Sequence, residues 1–118
     1  METIKLFDSE LKIMEIIWRE RTISAKQISM IAAKKIGWNK NTTYTVIKKL
    51  IDKNAVQREE PGFICCALIS RDEVQKDETE RLIDKLWGGS KKAFFAAFVD
   101  EHLSADEINE LKSLIGKK

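Results

Sequence analysis

Leu11, Met14, Ile17 and Trp18 fall on one stripe of a helix, and Ile13 and Ile16 widen it. The pattern predicts a well-buried first helix that begins at Asp8, read as its cap, and runs through Trp18 or slightly beyond. Ser24 and Gln27 have capping-box spacing, and Ile23 and Ile28 stand where a hydrophobic staple would close. The apolar face continues through Ile31, Ala32 and Ile36, and Gly37 suits the C-terminal stop. A third helix is expected over 40–53, capped by Asn39 or Asn41. Segments 55–60 and 63–69 then read as two strands about the turn pair Pro61-Gly62. The cap-and-staple pattern returns at Ser70/Glu73, between Ile69 and Val74, and at Ser104/Glu107, between Leu103 and Ile108. These signals predict helices over 71–87 and 105–115, with Gly88-Gly89-Ser90 breaking the chain before a short apolar helix over 91–101.

Three helices followed by a hairpin is the element order of a winged helix-turn-helix, and a short strand near Thr22-Ile23 would complete its sheet. The expectation is a mainly α chain of α+β type. A winged helix-turn-helix domain over 1–70 would be followed by a C-terminal α-helical dimerisation region over 71–118.

At ~100° per residue, Thr43, Val46, Ile47, Leu50 and Ile51 gather on the inner face of the third helix. Asn41, Tyr44, Thr45, Lys48, Lys49 and Asp52 occupy the other half, a mixture of amide, phenol, hydroxyl and ammonium groups with one acid. Such groups suit a major groove. Amides and hydroxyls meet base edges, methyl and aryl carbons touch thymine methyls, and Lys meets guanine or phosphate. The N-terminal end of a recognition helix enters first. Asn41, Thr42, Tyr44 and Thr45 are therefore the candidates nearest the bases, and Lys48 and Lys49 the candidates for phosphate. Arg58, near the hairpin tip, is a further backbone or minor-groove candidate, although Glu59 and Glu60 weaken the positive field there.

Composition sharpens the picture at three points. Of 118 residues, 43% are hydrophobic and 34% charged, which is sufficient for a packed core and unlike a disordered chain. The formal net charge is only +2, so affinity for nucleic acid must come from the placement of charge. The run from Lys91 to Val99 holds Phe94, Phe95 and Phe98, more apolar surface than so short a tail would bury alone. With Leu82, Leu86 and Trp87 before it, Val99 within it, and Ile108, Leu111, Leu114 and Ile115 after it, the tail predicts shared burial in a twofold homodimer. Pairing two weak reading heads would also raise affinity by linkage.

Several pieces together resemble the penicillinase-repressor family of bacterial regulators, the BlaI/MecI group. The run from Asp8 to Trp18 is similar to that family's opening helix, and Trp38 to Leu50 resembles its turn and recognition helix. Phe98-Val99-Asp100-Glu101 followed by Leu103-Ser104-Ala105-Asp106-Glu107-Ile108 resembles its tail. The resemblance implies a homodimeric repressor on an inverted-repeat operator of double-stranded DNA. It also implies a partner, a membrane-bound sensor metalloprotease that cuts the repressor's tail, with Ala97–Phe98 as the matching bond. Well-known members carry Asn before that Phe and Pro near the start of the recognition helix, where this chain has Ala97 and Lys40. The chain ends Leu114-Ile115-Gly116-Lys117-Lys118, without the cysteine cluster of the copper-responsive branch.

Other classes fit less well. His102 is the one histidine and stands at a helix junction, and no Ser/His/Asp set, phosphate-cradling glycine loop or metal-ligand cluster appears, so neither enzyme activity nor a cofactor or metal is expected. A winged helix serving only protein contacts would carry an apolar or acidic third helix. A thiol-based redox regulator would use Cys65 and Cys66, which on a strand point to opposite faces and cannot pair without strain. No apolar run approaches the ~18 residues of a membrane span, and no signal-peptide pattern opens the chain. A reducing, cytoplasmic setting without membrane insertion is expected.

Overall fold

Side-chain chemistry at the helix starts sets the local structure. The computed structural model describes residues 4–116, so residues 1–3 and 117–118 of the two expected domains lie outside the description. Helix α1 (Asp8–Glu20) begins one residue earlier than its expected cap allows. Phe7 holds the N-cap position, and its backbone N–H donates to Glu10 Oε1 at 2.7 Å. Asp8 is thus the first helical residue. The carboxylate three residues past the cap supplies the tie, and the Asp8 charge favours the helix N-terminus through the dipole. Strand β1 (Thr22–Ser24) leads into α2 (Ala25–Lys35), where the Gln27 N–H donates to Ser24 Oγ at 3.1 Å and the Ser24 N–H to Gln27 Oε1 at 3.2 Å. Gly37, at φ 80°, ends this region with its N–H on the Ala32 carbonyl at 2.9 Å. Asn39 caps α3 (Lys40–Asp52) by accepting the Thr42 N–H at 2.8 Å.

The hairpin is shorter than expected. Strands β2 (Val56–Glu59) and β3 (Ile64–Ala67) pair antiparallel, with Glu59 opposite Ile64. Phe63 lies in the turn because its φ of 50° takes it out of extended backbone. Strand β1 pairs along the other edge of β3, giving the order β1-β3-β2 with Ile23 and Arg58 both opposite Cys65. Helices α1, α2 and α3 cover the sheet through a core of Ile13, Met14, Ile17, Ile28, Ile47 and Leu50, each fully buried, with Val56 and Cys65 from the strands.

The chain forms two compact units that divide between Asp77 and Glu78, inside helix α4 (Arg71–Trp87). The start of α4 belongs to the first unit. Val74 joins its core, Arg71 pairs with Glu15 at 2.7 Å, and Trp18 Nε1 donates to the Ile69 carbonyl at 2.9 Å just before the helix. The expected caps at Ser70/Glu73 and Ser104/Glu107 are both formed.

The second unit holds the rest of α4 with α5 (Lys91–His102) and α6 (Ala105–Gly116). No residue of α5 or α6 is buried. The Trp87 ring meets Phe94 edge-on at 4.9 Å, and Phe94, Phe98 and His102 follow one another along α5 at 5.9 and 5.2 Å.

Candidate nucleic-acid interface

The inner face of α3 determines what its outer face presents. Thr43, Val46, Ile47 and Leu50 are buried and Ile51 half-buried, which turns Asn41, Thr42, Thr45, Lys48, Lys49 and Asp52 outward. Among the described residues, neither Lys48 nor Lys49 lies within ion-pair distance of a carboxylate. The face therefore carries two uncompensated ammonium groups. Thr45 Oγ1 donates to the Asn41 carbonyl at 2.9 Å. Its hydroxyl proton is thus engaged, leaving its lone pairs and its methyl for a partner, which suits the amino group of adenine or cytosine or a thymine methyl.

Tyr44 is half-buried at the edge of this face. Its ring meets that of Phe63 in a T-shaped contact at 5.9 Å with an interplanar angle of 81°, and Lys40 Nζ lies over its ring 5.7 Å from the centroid. Arg58, on β2, stacks its guanidinium 3.6 Å from the Phe63 ring centroid and pairs with Glu60 at 2.9 Å. The hydrogen bonds from Arg58, first, and from the Phe63 N–H hold the Glu60 carboxyl below its ordinary range. Tyr44 and Arg58 therefore share one partner, Phe63. Sequence reasoning placed Phe63 in a strand and did not mark Lys40 as a site residue. Helical spacing puts Lys40 one turn before Tyr44, but no local pattern brings Phe63 to the α3 face.

The C-terminal end of α3 is anchored from behind. Lys53 Nζ reaches Glu10 Oε1 at 2.6 Å and the Lys5 carbonyl at 2.9 Å, and lies 4.4 Å from the Phe7 ring centroid. Glu10 is 1% exposed, and its Oε2 has no partner. Lys53 thus ties α3 to the start of α1.

The two thiols behave oppositely to activated cysteines, which sit where positive charge lowers their pKa. Burial, helped by Cys66, pushes Cys65 up to about 11. Desolvation and then Glu59 push Cys66 up as well. Among the described residues, no group of three or more His, Cys, Asp or Glu is disposed to hold a metal.

In the second unit, Leu82, Leu86, Phe95, Phe98, Leu114 and Ile115 are exposed, and Trp87, Phe94, Val99, Ile108 and Leu111 are half-buried. Helices α5 and α6 bound an open apolar groove of about 1130 Å³ with Phe95, Val99, Leu111 and Ile115 among its walls. The Ala97–Phe98 bond lies within α5, with Ala97 half-buried.

A three-helix head whose third helix shows amide, hydroxyl and ammonium groups beside a β-hairpin defines a winged helix-turn-helix protein of the DNA-binding class. The chain belongs to the penicillinase repressor family, whose sequence model matches residues 6–117. It is 28% identical over 120 residues to the methicillin resistance regulatory protein MecI of Mammaliicoccus sciuri, an alignment covering 99% of this chain and 98% of that one. It is 24% identical to the penicillinase repressor of Bacillus licheniformis, covering 94% and 89% of the two chains. Its fold matches the solution structure of the DNA-binding domain of the repressor BlaI with a TM-score of 0.56 and 26% identity, over 62% of this chain and 93% of that one. The monomeric form of Bacillus licheniformis BlaI in complex with the blaP half-operator matches with a TM-score of 0.55 at the same identity and coverage. The family is one of DNA-binding repressors and not of enzymes.

Proposed function

We propose that this chain represses transcription by binding an inverted-repeat operator as a homodimer, with α3 in the major groove. The outward face of α3 carries the proposal: Asn41, Thr42 and Thr45 stand exposed on it beside Lys48 and Lys49, neither of which has an ion-pair partner among the described residues. In this reading Asn41, Thr42, Tyr44 and Thr45 contact bases, Lys48 and Lys49 contact phosphates, and Arg58 approaches the backbone or the adjacent minor groove. A relative was solved on a half-operator, and a whole operator of two such halves takes two heads. The exposed Phe95, Phe98, Leu114 and Ile115 supply apolar surface for the pairing of two tails. Among the described residues no helix is long and apolar enough to cross a membrane, and we place the repressor in the cytoplasm with the DNA it would bind.

Release follows from linkage, because separate heads lose the effective concentration that a joined pair has. Cutting Ala97–Phe98 by a sensor metalloprotease would split the aromatic row of Phe94, Phe98 and His102 and so dismantle the tail.

The test is selection of an operator from random duplexes, followed by binding isotherms at several salt concentrations. Tyr44→Ala should cost ~1–3 kcal/mol on the selected site and relax its sequence preference. Lys49→Ala should weaken all duplexes alike and reduce the salt slope by about one. Recovery of no preferred sequence, or a Tyr44→Ala variant with unchanged preference, refutes the assignment.

A further inference from the structure

We propose that Phe63 is the positioning residue of the DNA interface, fixing Tyr44 of the reading helix and Arg58 of the wing against one another so that the two engage the operator as one unit. The inference rests on the DNA contacts proposed above and adds the residue that aligns them.

Phe63 is held from four directions. Its N–H donates to Glu60 Oε1 at 3.2 Å, and its carbonyl accepts the Ala25 N–H at 2.9 Å from the start of α2. Its ring and the Tyr44 ring meet nearly at right angles with centroids 5.9 Å apart, and the Arg58 guanidinium lies over its face at 3.6 Å. The same Glu60 that takes the Phe63 N–H also takes Arg58 Nε at 2.9 Å, so turn and stack close on each other. The row Lys40, Tyr44, Phe63, Arg58 runs from the leading end of α3 to the wing.

The backbone gives independent support. Phe63 adopts φ 50°, a left-handed conformation that a bulky side chain rarely takes. A Gly or Asn would satisfy the turn with less strain, and strain of this kind persists where the surroundings over-determine it, often at functional sites. Simple core filling does not account for an aromatic here, because Phe63 is only half-buried at the margin of the core. A ring supplies what an aliphatic side chain cannot: a π face for a guanidinium and a rigid edge partner for a phenol.

The experiment is a double-mutant cycle of Tyr44→Ala and Arg58→Ala on the full chain, read as Kd for the selected operator. In the natural chain the two losses should be non-additive by about fivefold, a usual coupling for residues that share a partner. Phe63→Leu should keep the melting temperature and circular dichroism near the natural values, weaken operator binding about tenfold, and make the two losses additive. Its Kd for unrelated duplex should weaken by less than its Kd for the operator, since Lys48 and Lys49 still meet phosphate there and only the positioning of Arg58 is lost. Phe63→Tyr, which keeps the ring, should restore both affinity and coupling. Additivity in the natural chain overturns the proposal whether or not Phe63→Leu folds, and so does coupling that survives in a folded Phe63→Leu protein. Single variants at Tyr44 and Arg58 that both leave operator binding unchanged would instead overturn the assignment of the contacts, and the positioning role with it.

Discussion

Replacing Lys53 with Met removes the ammonium that Glu10 faces while keeping an unbranched apolar stem beside the Phe7 ring. Glu10 would then hold a buried charge, at 1% exposure, with the Phe7 N–H on Oε1 and nothing on Oε2. Removing one member of a buried pair costs ~3–5 kcal/mol. The Lys53 side chain is 30% exposed, so water can enter part of the vacated space, and the lower end, ~3 kcal/mol, is expected. Glu10→Gln is the informative contrast. It leaves an acceptor for the Phe7 N–H and an ammonium that reaches solvent, so it should cost only ~1 kcal/mol. Truncating the exposed Arg58–Glu60 pair should cost less still, because water screens it on both sides. Urea unfolding of the full chain, followed by tryptophan fluorescence and circular dichroism, measures all three. Protein concentration must be held constant, because dimerisation would link stability to it. The Lys53→Met midpoint should fall with an unchanged m-value, and its melting temperature should drop by roughly 10–20 °C. A Lys53→Met loss below ~1 kcal/mol, or one no larger than that of Glu10→Gln, would refute the claim that an uncompensated buried carboxylate sets the cost.

Phe98→Asp should convert dimer to monomer in sedimentation velocity and weaken operator binding, and a natural chain that sediments as a monomer at micromolar concentration would contradict the tail's assigned role. With Cys65 pushed up to about 11, its thiolate fraction grows only as pH climbs toward that value. At pH 8 about one thiol in a thousand is ionised. Iodoacetamide should therefore reach Cys65 only after unfolding, and native labelling at the rate of glutathione would contradict this. Mass spectrometry of the chain from induced cells should show fragments ending at Ala97 and beginning at Phe98, and an intact chain at a derepressed promoter would exclude release by cleavage. The bond lies within α5, and Ala sustains helix better than Asn, so the cut requires local opening and should be slower than in an Ala97→Asn variant.

Much of the local structure was legible in the sequence because its determinants act within one helical turn. Ser24/Gln27, Ser70/Glu73 and Ser104/Glu107 each close a cap over three residues, and each formed as the spacing predicts. The outward set on α3 followed from the helical period once Thr43, Val46, Ile47 and Leu50 were assigned inward, except for Tyr44, which is half-buried against the core. The alternation of a strand likewise put Cys65 and Cys66 on opposite faces, and the tertiary structure decided that Cys65 is the buried one. The start of α1 was misread because Asp8 is a good cap by type, while Glu10 ties the Phe7 N–H and takes Lys53 from 43 residues away. The meeting of Tyr44, Phe63 and Arg58 was decided by tertiary structure alone. It requires the hairpin to close in one register, the turn to adopt a left-handed residue, and α2 to hold the Phe63 carbonyl. Local propensity specifies which residues form each element and which face is apolar. The placement of one element's edge against another's depends on contacts between residues distant in the chain, where no short-range period carries information.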